Sequence, residues 1–172
     1  MNQGRRMNRE FYMKDVLEVA PSLPGKYLCL SGPNGIAERY MITEVEAYRG
    51  EEDEACHASR GRTSRNEIMY HRGGFIYMYF IYGMYWMFNI VTAEEGIPQA
   101  VLLRGITGFN GPGKLTRHLG MDGSYYGEDI CESGRIWVED HGKIVDIERG
   151  KRIGIHYAGS YWRDIDWRYY VR

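Results

Sequence analysis

Hydrophobic and polar residues alternate along several short segments of the chain, with the period of two that is typical of half-buried β-strands. The clearest alternation covers residues 39–48, where alternate positions share one predicted face: Ile42, Glu44, Glu46 and Tyr48. The same criterion predicts shorter strands at residues 26–30, 100–106, 135–138 and 153–156. Two helices are predicted, one over residues 10–20 that stops at Pro21 and a short one over residues 114–120 that follows Gly111-Pro112.

Residues 73–93 contain no charged side chain and are long enough to span a bilayer. Their composition argues against a membrane helix, because the segment GGFIYMYFIYGMYWMFNIVTA places Tyr and Asn where such a helix carries Leu and Val. Aromatic and β-branched residues on both sides of Gly83 favour a β-hairpin instead, with Gly83-Met84 at or near the turn. Both strands are expected to be buried except near the tip.

This order of elements predicts an α+β fold, with a largely antiparallel sheet in one mixed domain over residues 1–172. A chain of 172 residues is an ordinary length for one domain, and it shows no internal repeat or long linker. Residues 1–9 are polar and basic and lack the apolar run of a secretory signal. They are predicted to form a mobile arm.

Composition narrows the class of protein. Hydrophobic residues make up 44% and charged residues 26%, as in globular proteins with a packed core. The three cysteines include no CxxC pair, which argues against a disulfide framework or a cysteine-type zinc site and favours a reducing, intracellular setting. The net charge of -1 excludes a globally basic protein that coats nucleic acid by charge alone.

The basic residues are nevertheless concentrated in two segments. Residues 57–72 carry four arginines against one glutamate, and residues 96–120 carry Arg104, Lys114 and Arg117 with no acid, so each segment sums to +3 without histidine. These segments flank the aromatic hairpin, the pattern expected of a face that meets a phosphate backbone. Solvated surface loops are the alternative interpretation.

Glu46 is the first candidate for chemistry, because a carboxylate inside an apolar strand is costly to bury unless it is paired. Arg104, inside another apolar strand, is the natural partner. A glutamate held in this way could act as a general base toward water, and a purely structural ion pair is the alternative. Glu44 and Glu46 as the paired carboxylates of a glycosidase are disfavoured, because alternate residues of one strand rarely straddle a bond at the required distance of roughly 5–9 Å.

Five sequence blocks resemble one known family. The blocks are ITEVEAYRGEEDEACHASRGRTSRN, YMYFIYGMYWMFNIV, AVLLRGI, GPGKL and RIGIHYAG, and together they span residues 42–159. Their content and order are similar to those of the alkyladenine (3-methyladenine) DNA glycosylase family. The resemblance implies a mixed α/β domain with a curved antiparallel sheet and a protruding hairpin. It also implies a monofunctional enzyme that flips alkylated or deaminated purines out of duplex DNA and hydrolyses the N-glycosidic bond, leaving an abasic site.

The resemblance also implies roles for individual residues. Glu46 matches the general base, Arg104 the residue that helps to hold the nucleophilic water, and the backbone carbonyl of Ile153 the group that completes the water site. Tyr48, His57 and Tyr79 match the aromatic residues that line the pocket and stack on the flipped base. Asn89 matches the residue on the pocket floor that excludes guanine.

The remaining matches concern the DNA. Tyr82 matches the residue that wedges into the minor groove. The loop with Arg62, Thr63 and Arg65 is expected to approach the DNA backbone, as is Lys114.

No metal or organic cofactor is implied, and no lysine matches a pocket position that could form a Schiff base. The implied partner is duplex DNA with damaged purines such as 3-methyladenine, hypoxanthine or ethenoadenine, bound by a monomer in the cytoplasm or nucleoid. Two other classes stay open from the residues alone. One is a non-catalytic nucleic-acid-binding module that uses aromatic stacking and arginine loops, and the other is a carbohydrate-active enzyme with an aromatic cleft.

Overall fold

Antiparallel strands and short helices make up the computed structural model, which describes residues 4–172 and confirms the predicted α+β class. The strands are β1 (Arg5–Arg6), β2 (Tyr27–Ser31), β3 (Ala37–Arg49), β4 (Ile76–Ile81), β5 (Tyr85–Thr92), β6 (Gln99–Ile106), β7 (Phe109–Asn110), β8 (Ile136–Asp140), β9 (Ile147–Gly150) and β10 (Arg168–Val171). The α-helices are α1 (Arg9–Tyr12), α2 (Val16–Ser22), α3 (Pro112–His118) and α4 (Ser160–Asp164). Single 3₁₀ turns occur at Pro33–Gly35, His57–Arg60, Glu67–Tyr70 and Gly123–Tyr125.

The long strand β3 organises the sheet, whose main order is β1-β8-β2-β3-β6-β5-β4. The first part of β3 pairs with β2, its later residues Glu44–Glu46 pair with β10, and β6 runs along it on the other side. One face of the sheet packs on α2 and α3 and forms the main hydrophobic core. The other face, over β3 to β6, is covered by the segment that follows β3, in a second cluster that includes Ala58, Met69 and Tyr77.

The strand register gathers the candidate residues on this second face. Tyr77 pairs with Asn89, Asn89 with Leu102, and Leu102 with Glu46, so four strands contribute one continuous cross-strand row. Directly opposed residues of antiparallel strands point to the same face. Since side chains alternate along each strand, Tyr48 and Tyr79 share this face too, two residues away from the row.

A β-bulge at Arg104 interrupts the pairing of β3 and β6. Val45 pairs with Leu103 and Glu44 with Gly105, which leaves Arg104 without an opposite residue. Bulges bend a strand and change the direction of a side chain. Gly105 is needed beside the bulge, because a Cβ there would lie 2.7 Å from Thr43 Oγ1.

Residues 73–93 form β4, a tight turn and β5. The amide of Met84 donates to the carbonyl of Ile81 at 3.1 Å, so Tyr82 and Gly83 are the central turn residues, one position earlier than predicted. Both have positive φ, 51° and 63°, as in the type I′ turns that favour Asn-Gly. None of the helices in residues 4–172 is long and apolar enough to cross a membrane.

Two predicted elements are wrong. Residues 10–20 do not form one helix that stops at Pro21, because the side chains of Asn8 and Asp15 each cap a separate helix and Pro21 lies inside α2. Residues 153–156 are a loop and not a strand, since Gly154 has a φ of 77° and the Ile153 amide bonds to a side chain. The strands β9 and β10 have no counterpart among the predicted elements.

The predicted mobile arm over residues 1–9 also needs correction. Arg5 and Arg6 pair with β8, and the Arg6 guanidinium donates to the carbonyls of Ile130 and Ser133 at 2.9 and 2.7 Å. Met7 is buried. Residues 1–3 lie outside the described residues, so the prediction is not tested there. From residue 5 onward the prediction of a mobile arm is wrong.

Candidate active site

Glu46 is completely buried and is held by donors from three elements. The Tyr48 hydroxyl on the same strand donates to Oε2 at 2.7 Å, and the amide of Ile153 donates to Oε1 at 2.7 Å. The Nε atom of Arg104 lies 3.5 Å from Oε1. Burial raises the pKa of Glu46 above its ordinary value, while Arg104, the two hydrogen bonds and the nearby Arg152 act in the opposite direction.

Ile153 therefore reaches Glu46 through a different atom from the expected one. The resemblance assigned a role to its carbonyl, whereas the structure shows its amide N–H bonded to the carboxylate. A water role for the carbonyl stays a prediction. The predicted pairing of Arg104 with Glu46 is present, but Arg104 is shared, because its Nε also donates to Glu44 Oε1 at 3.3 Å.

Glu44 extends this contact into a chain of four charged groups. Its Oε1 also accepts a hydrogen bond from Arg168 Nη1 at 3.1 Å, so the order is Arg168, Glu44, Arg104 and Glu46. Glu44 and Arg104 are both nearly buried. Two arginines against two glutamates keep the cluster close to neutral, which reduces the cost of burying Glu46.

A second buried ion pair, between Arg152 and Asp53, packs against the ring of Tyr48. Arg152 forms a bidentate pair with Asp53, with N to O distances of 2.6 and 2.9 Å, and both side chains are fully buried. Its guanidinium carbon lies 4.9 Å from the centroid of the Tyr48 ring and 5.0 Å from that of Trp167. This packing fixes the plane of the Tyr48 ring next to the hydroxyl that binds Glu46.

The predicted aromatic residues do come together around one pocket. A small, partly open cavity of about 30 Å³ is lined by Tyr48, His57, Tyr79 and Asn89 among others. It adjoins an outer cleft of about 340 Å³ that shares Tyr48, His57 and Tyr79 and also includes Tyr82, Arg104 and Ile153. The cleft therefore connects the hairpin tip, the aromatic rings and the partners of Glu46.

His57 is held as a neutral ring at neutral pH. Its ring centroid lies 4.4 Å from that of Tyr79, and its Nδ1 lies 2.8 Å from the Tyr77 hydroxyl. Although the residue as a whole stays accessible to solvent, desolvation of the ring and the nearby Arg65 lower its pKa to about 4. The buried Asn66 holds this segment, because its amide donates to the carbonyls of His57 and Gly61 at 3.1 and 3.0 Å.

Asn89 is buried at the floor of the pocket. Its Nδ2 donates to the carbonyl of Tyr77 at 3.2 Å across the strand pair. This hydrogen bond is the purely structural role expected of a buried amide in an apolar strand. With Nδ2 bonded to the backbone, Oδ1 is the amide atom left for a ligand. Asn89 thus has a structural contact and a pocket position at once.

The predicted DNA-contacting residues divide into two groups. Tyr82, at the hairpin tip, is 85% exposed in a left-handed conformation that costs energy for a bulky side chain. Arg65 and Lys114 are exposed, and the Arg65 guanidinium lies 5.5 Å from the centroid of the Tyr79 ring. Arg62 is instead paired with Glu67, and Thr63 exchanges hydrogen bonds with Asn66, so these two residues have partners within the loop.

Several residues of the site had no role in the sequence interpretation. Arg152 and Asp53 are separated by almost a hundred positions, and neither lies in a pattern that indicates burial. Tyr157 lines the pocket from the loop after β9, directly after the segment 153–156 that was predicted to be a strand. Asn66 is the last residue of the first sequence block and was given no role.

Comparison with known proteins places these features in a wider group. A family profile described as "Methylpurine-DNA glycosylase (MPG)" matches residues 10–109 and 107–172. A Desulfitobacterium hafniense (strain Y51) protein named "Putative 3-methyladenine DNA glycosylase" is 41% identical over 197 aligned residues, which cover 97% of this chain and 95% of its own. Proteins of the same name from Rickettsia felis and Methanocella arvoryzae are 40% and 42% identical, covering 99% and 88% of this chain and 96% and 86% of their own lengths.

Proposed function

Since the chain belongs to the methylpurine-DNA glycosylase family, a group of enzymes that hydrolyse N-glycosyl bonds in DNA, we propose that it excises alkylated or deaminated purines from duplex DNA by means of a water molecule that Glu46 activates. The damaged nucleotide leaves the base stack and enters the cleft, and the product is an abasic site. The observation that carries the proposal is the position of Glu46. It is a buried carboxylate bonded directly to Tyr48, a ring that lines the pocket.

The contacts of Glu46 suit it to act as a general base. Each carboxylate oxygen has two lone pairs, and Oε2 accepts only the Tyr48 hydroxyl among the hydrogen bonds of residues 4–172. One lone pair of Oε2 therefore has no donor within these residues. Because the carboxylate is completely buried, a water reaches it only when the side chains around it move apart as substrate enters the cleft. The raised pKa of Glu46 makes it a stronger base than an exposed glutamate. At a pH well above that pKa, the carboxylate is ionised and can accept a proton.

In the proposed chemical step, one proton moves to Glu46, one bond forms at C1′ and one bond breaks. Glu46 takes one proton from the water while the water oxygen forms a bond with C1′ of the deoxyribose. The bond between C1′ and the base nitrogen breaks, and its electron pair leaves with the base. Negative charge near the sugar stabilises the positive charge that develops at C1′ in the transition state. Arg104 holds Glu46 in place and does not itself exchange a proton, since guanidinium groups stay charged.

The pocket rings favour damaged purines for electrostatic reasons. An alkylated purine often carries a positive charge, which the π face of a neutral ring attracts. A charged imidazolium would repel such a base, whereas the pKa of about 4 keeps His57 neutral at pH 7. Tyr48 and Tyr79 stay protonated, because burial raises the pKa of each phenol further above its ordinary value.

The DNA is positioned, under this proposal, by the hairpin tip and by the cations at the rim of the cleft. Tyr82 occupies the space of the flipped nucleotide, and the strained backbone of the turn is what keeps its ring directed outward. Lys114 and Arg65 bind phosphates without reading sequence.

Base release from a defined duplex tests the proposal. The protein is incubated with duplexes that each carry one hypoxanthine or ethenoadenine. An undamaged duplex and each damaged duplex without protein serve as controls. We expect strand cleavage only after hot alkali, because a monofunctional glycosylase leaves the abasic strand intact. Absence of alkali-sensitive sites in every damaged duplex would overturn the proposed activity, and cleavage before alkali would overturn the monofunctional mechanism.

Replacing Lys114 by Ala should weaken binding to all duplexes equally and should reduce the slope of log K against log salt by about one unit. Lys114 is exposed at the first turn of α3, next to Pro112 in the outer cleft. The measurement is fluorescence anisotropy of damaged and undamaged duplexes over a range of KCl concentrations. Lys143→Ala is the matched control, since this exposed lysine lies between β8 and β9. Neither Lys143 nor its chain neighbours line the site, whereas Pro112, two residues before Lys114, lines the outer cleft. An unchanged slope for Lys114→Ala would contradict the phosphate contact.

A further inference from the structure

Tyr157 combines high exposure with a fixed position. Tyr157 is 64% exposed, yet its hydroxyl donates a hydrogen bond to the carbonyl of Ala55 at 2.8 Å. Its neighbours Ile155 and Ala158 are buried against Ala55 in a small hydrophobic cluster. The ring is thus anchored at its hydroxyl end and through its backbone, while much of its surface stays open to solvent.

The open surface of Tyr157 faces the candidate site. Tyr157 lines the small cavity together with Tyr48, and it lines the outer cleft together with Arg104. It also lines a third, adjoining cleft with Arg60 and Arg65 on the other side of His57. Among residues 4–172, Tyr157 and His57 alone line all three spaces, so a base that reaches the small cavity from either cleft passes these two rings.

The position of this ring where cavity and cleft meet favours contact with a bound base. A base that enters the cavity is still attached to its deoxyribose, so the nucleotide extends from the cavity into the cleft. Tyr157 lines both spaces at that junction. A large exposed aromatic ring beside a cleft is also the surface that a flat ligand covers with the greatest gain.

We propose that Tyr157 is a substrate-contacting residue that packs against the flipped purine and retains it in the pocket, in addition to the three rings already assigned. The inference rests on the proposed function, because it requires a base in the cleft. The same loop carries the Ile153 amide that binds Glu46. Contact of a base with Tyr157 therefore stabilises the loop that positions the general base.

Binding to an ethenoadenine duplex separates this role from others. In a Glu46→Gln background that prevents excision, the fluorescence of ethenoadenine reports the flipped state, and anisotropy reports binding to an undamaged duplex. We expect Tyr157→Ala to weaken the flipped complex by about 5- to 150-fold, the range of one base-to-ring contact, and to leave undamaged binding within about twofold. Tyr157→Phe should keep most of the affinity, since it retains the ring and loses only the hydroxyl.

Each alternative has a distinct result. An unchanged flipped complex in Tyr157→Ala, or an equal loss on the undamaged duplex, overturns the base contact. A loss in Tyr157→Phe as large as in Tyr157→Ala assigns the effect to the hydrogen bond to Ala55 and overturns it too. Tyr161→Ala is the matched control, because Tyr161 is 70% exposed in α4 and lines none of the three spaces. Failure of the proposed function would be seen separately, as a lack of excision by the unmodified protein.

Discussion

Replacing Glu46 by Gln should slow base excision by about 10²- to 10⁴-fold, the usual contribution of a general base, while damaged duplexes still bind. Glutamine has the shape of glutamate, and its carbonyl oxygen can accept from either the Tyr48 hydroxyl or the Ile153 amide. It cannot take a proton from water, so only the chemical step is lost. The measurement is single-turnover excision from a 7-methylguanine duplex, with anisotropy for binding.

Glu44→Gln provides a matched control for this prediction. Glu44 lies on the same strand and the same face, and it also contacts Arg104, but it binds neither Tyr48 nor Ile153. It should therefore lose much less activity than Glu46→Gln. Equal losses in the two variants would mean that the whole ion-pair cluster, and not one carboxylate, carries the effect.

The pH dependence gives a second measure of the same residue. The active form of Glu46 is the deprotonated one, and burial raises its pKa above the ordinary value of 4.5. Excision should therefore increase with pH through a midpoint that lies above pH 4.5, because a higher pKa moves deprotonation to higher pH. Glu46→Gln should lose this acidic limb, and a limb that persists in the variant would assign it to another group.

Most residues that the resemblance assigned to the pocket lie together in the structure, because they follow the alternation of regular strands. Glu46, Tyr48 and Tyr79 are placed on one face by strand geometry, and pairing across β3 to β6 brings them together. Arg104 is predicted correctly as the partner of Glu46 even though its exact direction depends on a bulge, which no alternation pattern reveals. Irregular backbone is where prediction fails, as in the loop of Ile153 and Tyr157.

The sequence pattern also does not predict contacts between distant segments of the chain. Asp53 lies in the acidic stretch EEDE, where every carboxylate would be expected to face solvent. The structure buries it completely and exposes Glu51, Glu52 and Glu54. The difference arises because Asp53 accepts hydrogen bonds from the amides of Arg49 and Ala55 within the turn, which directs its carboxylate inward to Arg152.

Replacing Asp53 by Ala should therefore lower the free energy of unfolding by about 3–5 kcal/mol, the cost of leaving a buried charge without its partner. Arg152 would keep its bonds to the carbonyls of Ala47 and Trp162 but would lose both bonds to a carboxylate in a site without solvent. Urea denaturation at pH 7 measures the change. Asp164→Ala removes the partner of the neighbouring Lys151 in a pair whose side chains are each 62% exposed, and it should have no measurable effect.

The buried pair should also act on the site through Tyr48, and a double mutant separates this effect from stability. Removing both charges, as in Asp53→Asn with Arg152→Met, leaves no unpaired charge, so the double variant should be more stable than the sum of the single losses predicts. It nevertheless lacks the guanidinium that packs on the Tyr48 ring. We expect it to fold and to excise more slowly than the unmodified protein under conditions in which both are fully folded. Additive stability losses would contradict direct coupling of the two charges, and full activity would show that Tyr48 is held in place without Arg152.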